Sequence, residues 1–199
     1  MVHGRRASPA AVAGGREAAE EGELALLQRV AAGDRGAFEL LYRCYFPRLT
    51  RFLGRVLQRP HTVEEVLNDA MLVVWRKAAS FNGQSRISTW IFAIAYRRAL
   101  KAIKRFDDPI EFDEEQAESL HPGPDAALMH RQLSATLGWA IARMPADHRA
   151  VIELTYFHGC RYQEIAQIMG CPVGTVKTRM FHARRRLQLL LSDRMEDLP

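Results

Sequence analysis

Apolar residues along this chain return every three to four positions, and two long stretches keep that period. In the first, Leu24, Leu27 and Val30 predict a short helix ending near Gly33, and Asp34 is placed to cap the next one. Phe38, Leu41, Tyr42 and Tyr45 then fall at i, i+3, i+4 and i+7, continued by Leu49, Phe52, Leu53 and Val56, with Pro47 expected to kink or break the helix. A third helix is expected to open on a Thr62-x-x-Glu65 capping box and to carry the stripe Val63, Val66, Leu67, Ala70, Met71, Val74 and Trp75. Residues 81–85 interrupt the pattern. Ser88 is placed to cap a fourth helix running to about residue 105.

In the second stretch, Leu133, Leu137, Ala140, Ile141 and Met144 share a face. Pro145 opens a helix with Val151, Ile152, Leu154 and Tyr156, ended by Gly159, and two more helices are expected at about 162–169 and 173–191. No alternating, strand-like segment is present. The expected fold is all-α: two small helical domains joined by a flexible acidic linker. Residues 1–22 are expected to be a disordered tail, 23–106 the first domain, 107–126 the linker and 127–199 the second domain.

Charge sharpens this division. Of the 23 acidic residues in a chain of 199, eight lie between Asp107 and His130, where there is no Lys or Arg. Residues 70–106 hold eight basic residues and no acid, and 165–192 hold five and no acid. Two basic blocks around an acidic connector suit two modules that bind a polyanion. The three cysteines are too sparse for a disulfide framework, no apolar run reaches the ~18 residues a membrane helix needs, and the N-terminus lacks the apolar core of a secretory signal. The expected location is the cytoplasm.

Residues 161–187 have the layout of a helix-turn-helix: a short helix, the turn Gly170-Cys171-Pro172, and a longer basic helix. On a helical wheel Val176, Met180, Ala183, Leu187 and Leu190 cluster within about 80°, while Thr175, Thr178, His182, Arg185 and Arg186 share the opposite side. The second helix can thus bury one face and offer the other to a DNA major groove, with Lys177 and Arg179 adding charge for base edges or phosphates. In the first domain, Trp90, Arg97, Lys101 and Lys104 fall within about 60° of one another. An aromatic ring beside a basic stripe suits unstacked bases and their phosphates. The polar loop Phe81, Asn82, Gly83, Gln84 and Ser85 just upstream could hold a flipped base. Arg98 and Arg105 fall near Ile87 and Ile91 and are expected to snorkel or to lie at a domain edge.

Taken together, these segments resemble an extracytoplasmic-function RNA polymerase sigma factor of the sigma-70 family. The resemblance rests on residues 37–42 with Pro47-Arg48-Leu49, on 63–77, on 80–83 through Thr89-Trp90-Ile91, and on Glu164-Ile165-Ala166 with 172–177. It implies a core-polymerase-binding helix at 63–77, for which Asn68, Asp69, Leu72 and Trp75 are candidates. It also implies a downstream-element and melted-strand reader at 81–104, and an upstream-element reader at 175–186. The implied partners are RNA polymerase core, promoter DNA as duplex and as melted non-template strand, and an anti-sigma factor. The acidic linker is implied to run through the polymerase channel. His182 stands where the family commonly carries Arg, and Arg161 where it carries a small hydroxyl residue.

Two other classes fit less well. A duplex-only helix-turn-helix regulator has no use for the Trp90 stripe. An enzyme would have to draw on Cys160 with His158, or His148 with Asp147, and neither pair has a base and an orienting group at a workable spacing. No cofactor is expected, and Cys160, Cys171 and His158 match no zinc spacing.

Overall fold

The computed structural model describes residues 9–105 and 135–196, with side chains from 20 to 105 and from 135 to 192. The linker expected at 107–126 lies outside the described residues. Helices α1 (Pro9–Ala31), α2 (Arg35–Leu57), α3 (Pro60–Lys77) and α4 (Ile87–Arg105) form the first domain, with a 3₁₀ turn at Ala78–Ser80. Helix α5 covers residues 135–142 and is followed by α6 (Ala146–Tyr156), α7 (Tyr162–Met169) and α8 (Val173–Glu196). The described residues contain no strand.

Local chemistry sets most helix ends. Asp34 accepts from Ala37 N at 3.0 Å and caps α2 as expected; that hydrogen bond, with Arg29 beside it, holds the Asp34 carboxyl below its ordinary value. Gly33 takes φ 87°, a left-handed turn that glycine enters without steric cost. Three expectations differ from what is found. The first helix begins at Pro9 rather than near residue 23, in an Ala- and Glu-rich segment of good helix formers. Helix α3 begins at Pro60, whose fixed φ suits a first helical position, and Thr62 is buried in its first turn with no capping role. Helix α4 begins at Ile87 on the carbonyl of Arg86, which accepts from Trp90 N at 3.0 Å, so Ser88 is not its cap. Pro47 is accommodated inside a single helix, α2.

The core of the first domain is the meeting of the expected stripes. Leu41, Tyr45, Leu49, Phe52 and Leu53 of α2 pack with Leu67, Met71 and Val74 of α3 and Ile91 and Phe92 of α4, all essentially solvent-free. Full burial of each such side chain is worth about 1.5–3 kcal/mol. The same core continues into the second domain through Val151, Leu154, Ile165, Ile168, Val176 and Met180. The two domains are therefore docked on each other, α6 against α2 and α7 against α4.

Polar contacts hold this seam. Arg149, 6% exposed, donates from Nε to Arg55 O at 2.8 Å, from Nη2 to Val56 O at 2.6 Å and from Nη1 to Met144 O. These carbonyls include two of those left without intrahelical partners at the end of α2. Burial lowers the Arg149 pKa to about 10. Gln58, in a left-handed conformation after α2, donates to Ala142 O at 2.8 Å. Arg51 donates to the buried Glu153 at 2.7 Å and covers the Phe157 ring at 3.9 Å. The His158 ring sits 4.7 Å from Phe92 and 6.2 Å from Phe52.

Candidate nucleic-acid interface

The helix-turn-helix is built largely as its wheel predicts, with Leu187 of the inward face half-buried. Val176, Met180, Ala183 and Leu190 are buried, whereas Lys177, Thr178, His182, Arg185 and Arg186 are exposed and Thr175 is half-buried. Gly170 closes α7 with φ 63°. The missing hydroxyl cap at Arg161 is replaced by Glu164, whose Oε2 accepts from Arg161 N at 2.6 Å. Thr178 Oγ1 donates back to Gly174 O at 3.1 Å. Arg179 differs from its neighbours: it turns inward to Asp147 at 2.9 Å and toward Cys171 Sγ at 3.5 Å, so its charge is spent on positioning α8 against α6. Phe181, 61% exposed and edge-on to His182 with centroids 5.5 Å apart, presents an apolar ring on this surface. The wheel alone does not bring it out, because an isolated aromatic on a basic helix carries no periodic signal.

In the first domain, Trp90 is half-buried with its ring 5.5 Å from that of Phe81. It lines a cavity of about 320 Å³ with Val73, Lys77, Ser80, Ile94, Arg97 and Arg98. The floor comes from α3 and the 3₁₀ turn, and the wall from successive turns of α4. Sequence reasoning missed Val73, Lys77 and Ser80 because the α3–α4 packing, which no single-helix wheel contains, brings them to Trp90. Arg98 leans from α4 toward Asp69 at 3.8 Å, which is how a basic residue near the apolar face is accommodated. Arg97, Lys101 and Lys104 are exposed along one side of α4. The loop between Ser80 and α4 is ordered by its own polar groups: Asn82 Oδ1 accepts from Gln84 N at 3.1 Å, Gly83 takes φ 71°, and Ser85 Oγ donates to Arg86 O at 3.3 Å.

A third surface lies on α3. Asn68, Asp69 and Leu72 are exposed, Leu72 by 44%. Tyr42 donates to Asn68 Oδ1 at 2.8 Å. Trp75 is half-buried, edge-on to Phe38 with centroids 5.2 Å apart, so it serves partly as packing. Among the described residues no group of His, Cys, Asp and Glu could hold a metal ion, and no helix is long and apolar enough to cross a membrane.

A helix-turn-helix whose second helix buries one side and exposes cations on the other defines a DNA-binding protein. Comparison with known proteins agrees and narrows the class. The sigma-70 region 2 family matches residues 41–108, and the sigma-70 region 4 family matches 137–187. The chain is 30% identical over 183 residues to the RNA polymerase sigma-H factor of Pseudomonas aeruginosa, covering 86% of this chain and 95% of that protein. It is 33% identical over 166 residues to the ECF RNA polymerase sigma factor RpoE of Cereibacter sphaeroides, covering 80% and 88%. Among solved structures, the sigma factor RpoE in complex with the anti-sigma factor NepR from Bartonella quintana matches with a TM-score of 0.60 at 26% identity, over 78% of this chain and 96% of that one. The chain belongs to the extracytoplasmic-function group of sigma-70 RNA polymerase sigma factors, and its function is transcription initiation.

Proposed function

We propose that the three surfaces divide the work of initiation. The exposed edge of α3 at Asn68, Asp69 and Leu72 docks on core polymerase, with Trp75 bracing it against Phe38. The outward side of α8, at Thr175, Lys177, Thr178, His182, Arg185 and Arg186 with Phe181 beside them, reads the upstream duplex element. Arg179 holds α8 in place through Asp147.

The cavity between α3 and α4 captures a base of the melted non-template strand, and the make-up of its lining is the observation that supports this reading. A cavity of about 320 Å³ beside an indole, with Lys77, Arg97 and Arg98 on its lining and Lys101 and Lys104 further along α4, offers stacking for a base and countercharge for its phosphates. The loop Phe81, Asn82, Gly83, Gln84 and Ser85 adjoins it through Phe81, whose ring packs on Trp90. The chain contributes binding energy and no bond-making group; the chemistry belongs to the polymerase, in the cytoplasm. An anti-sigma factor is a further partner, because the structural relative from Bartonella quintana was crystallised with one. The acidic stretch at 107–126 serves as the linker between the two domains.

Reconstitution with core polymerase tests the assignment. The chain should convert core enzyme from non-specific to promoter-specific run-off transcription. Failure to co-elute with core, or co-elution without a specific transcript, would contradict it.

A further inference from the structure

Arg86 stands where the capture loop, α1 and α7 meet. It follows Ser85 directly, and its carbonyl starts α4. Its guanidinium is shared by two acids from distant parts of the chain. Nε pairs with Glu20 of α1 at 2.8 Å, and Nη1 pairs with Glu164 of α7 at 3.1 Å. Glu164 is 17% exposed and works at both ends: one oxygen caps α7 through Arg161 N, and the other holds Arg86. The first helix of the helix-turn-helix is thereby tied to the residue that ends the loop, whose Phe81 packs on the cavity residue Trp90.

Ion pairs at a guanidinium 38% exposed contribute little to stability, so structural glue is a weak account of two of them at one residue. The chemistry suits another role. Guanidinium forks match planar oxyanions, and carboxylate and phosphate present similar faces to them. Arg86 is also the residue through which the loop passes into the helix that carries Trp90, Arg97 and Lys101.

Resting on the strand-capture reading above, we propose that Arg86 is a phosphate-binding residue of that site. Glu164 and Glu20 occupy its guanidinium as internal stand-ins for a strand phosphate while the two domains are docked. A strand entering the cavity and the docked helix-turn-helix therefore compete for one guanidinium. Strand capture and release of α7 from α4 are coupled events.

The test is fluorescence anisotropy of the full chain with a labelled single-stranded DNA of mixed sequence, about a dozen nucleotides long, across a salt series. Glu164→Gln keeps an oxygen for the α7 cap but removes the competing charge, and should tighten binding by up to about fivefold at low salt. Arg86→Gln should weaken binding and reduce the logarithmic salt slope by about 0.7. In the double variant the gain from Glu164→Gln should vanish. Arg86→Lys should retain the slope, because it keeps the charge without the fork. Trp90→Ala should weaken binding with the slope unchanged. If Arg86→Gln leaves affinity and slope intact while Trp90→Ala weakens binding, Arg86 is only an anchor and the proposal falls, though strand capture stands. If neither substitution matters, or if neither wild type nor Glu164→Gln binds, strand capture at this site fails and the proposal with it.

Discussion

Replacing Arg149 by Met should open the seam between the domains without unfolding either. The side chain donates to three carbonyls, and those of Arg55 and Val56 belong to the other domain. Met preserves the apolar stem and removes every donor. A buried carbonyl left without a partner costs about 1–3 kcal/mol, and the end of α2 can regain some of that from water once the domains separate. Against this, the variant no longer buries a guanidinium whose pKa burial has lowered to about 10. Taking about 1–2 kcal/mol for each of the two interdomain carbonyls, closure should weaken by about 2–4 kcal/mol, or roughly 30- to 1000-fold in the closed-to-open ratio. Small-angle scattering of the free protein reads the outcome. A compact chain of this length has a radius of gyration near 16 Å, and the variant should exceed wild type by several ångströms with its helical circular dichroism retained. Arg149→Lys should behave like Met, since one ammonium cannot span three carbonyls. An unchanged radius together with an unchanged unfolding midpoint would refute the reasoning.

Asp69→Arg reverses charge on the exposed edge of α3 and should abolish co-elution with core polymerase while helicity is kept; normal co-elution would remove Asp69 from the docking surface. Arg185→Ala or Arg186→Ala should weaken upstream-element binding by about 1–3 kcal/mol if the contact is to a base edge, or lower the salt slope by about 0.9 if it is to a phosphate. Filter binding across a salt series distinguishes these, and no change in either variant would reassign the face. His158 faces Phe52 of α2, Phe92 of α4, Glu153 of α6 and the guanidiniums of Arg48 and Arg51, and burial with those cations lowers its pKa to about 4. Its neutral form is the one that fits. The stability it confers is complete above about pH 6.5 and is lost as pH falls toward 4. Burial raises the Glu153 pKa and acts in the opposite sense, so the comparison to make is with His158→Leu. The urea midpoint of wild type should fall more steeply than that of the variant in this window, and parallel curves would refute the assignment.

The helices were largely legible because each has one apolar face: the stripe of α3 is buried apart from the half-buried Trp75, and the two-sided wheel of α8 matches the fold apart from Thr175 and Leu187, both half-buried. Helix starts were read less well. Thr62 and Ser88 have the chemistry of caps, but Pro60 opens α3 earlier and Arg86 supplies the first carbonyl of α4. The docking of the domains was not legible. It depends on Arg149 and Glu153, which any pattern of apolar and charged positions assigns to the surface, and on partners that lie 94 and 102 residues away. The cavity was half legible. Trp90 and Arg97 share a stripe on one helix, but Lys77 and Ser80 reach them only through the packing of α3 on α4.

Strand opening separates this account from a protein that binds duplex alone, and Trp90→Ala measures it most directly. Unstacking costs a few kcal/mol per step, and stacking on an indole returns about 1–3 kcal/mol per base, so loss of the ring should harm melting more than docking. Permanganate footprinting beside run-off yield, on a duplex promoter and on the same promoter with a pre-melted bubble, gives both quantities. Trp90→Ala holoenzyme should bind the duplex, open it poorly, and recover most of its transcription on the bubble. Normal opening of the duplex would make Trp90 a packing residue, and equal failure on both templates would place the defect in folding or core docking; either result contradicts strand capture at the α3–α4 cavity.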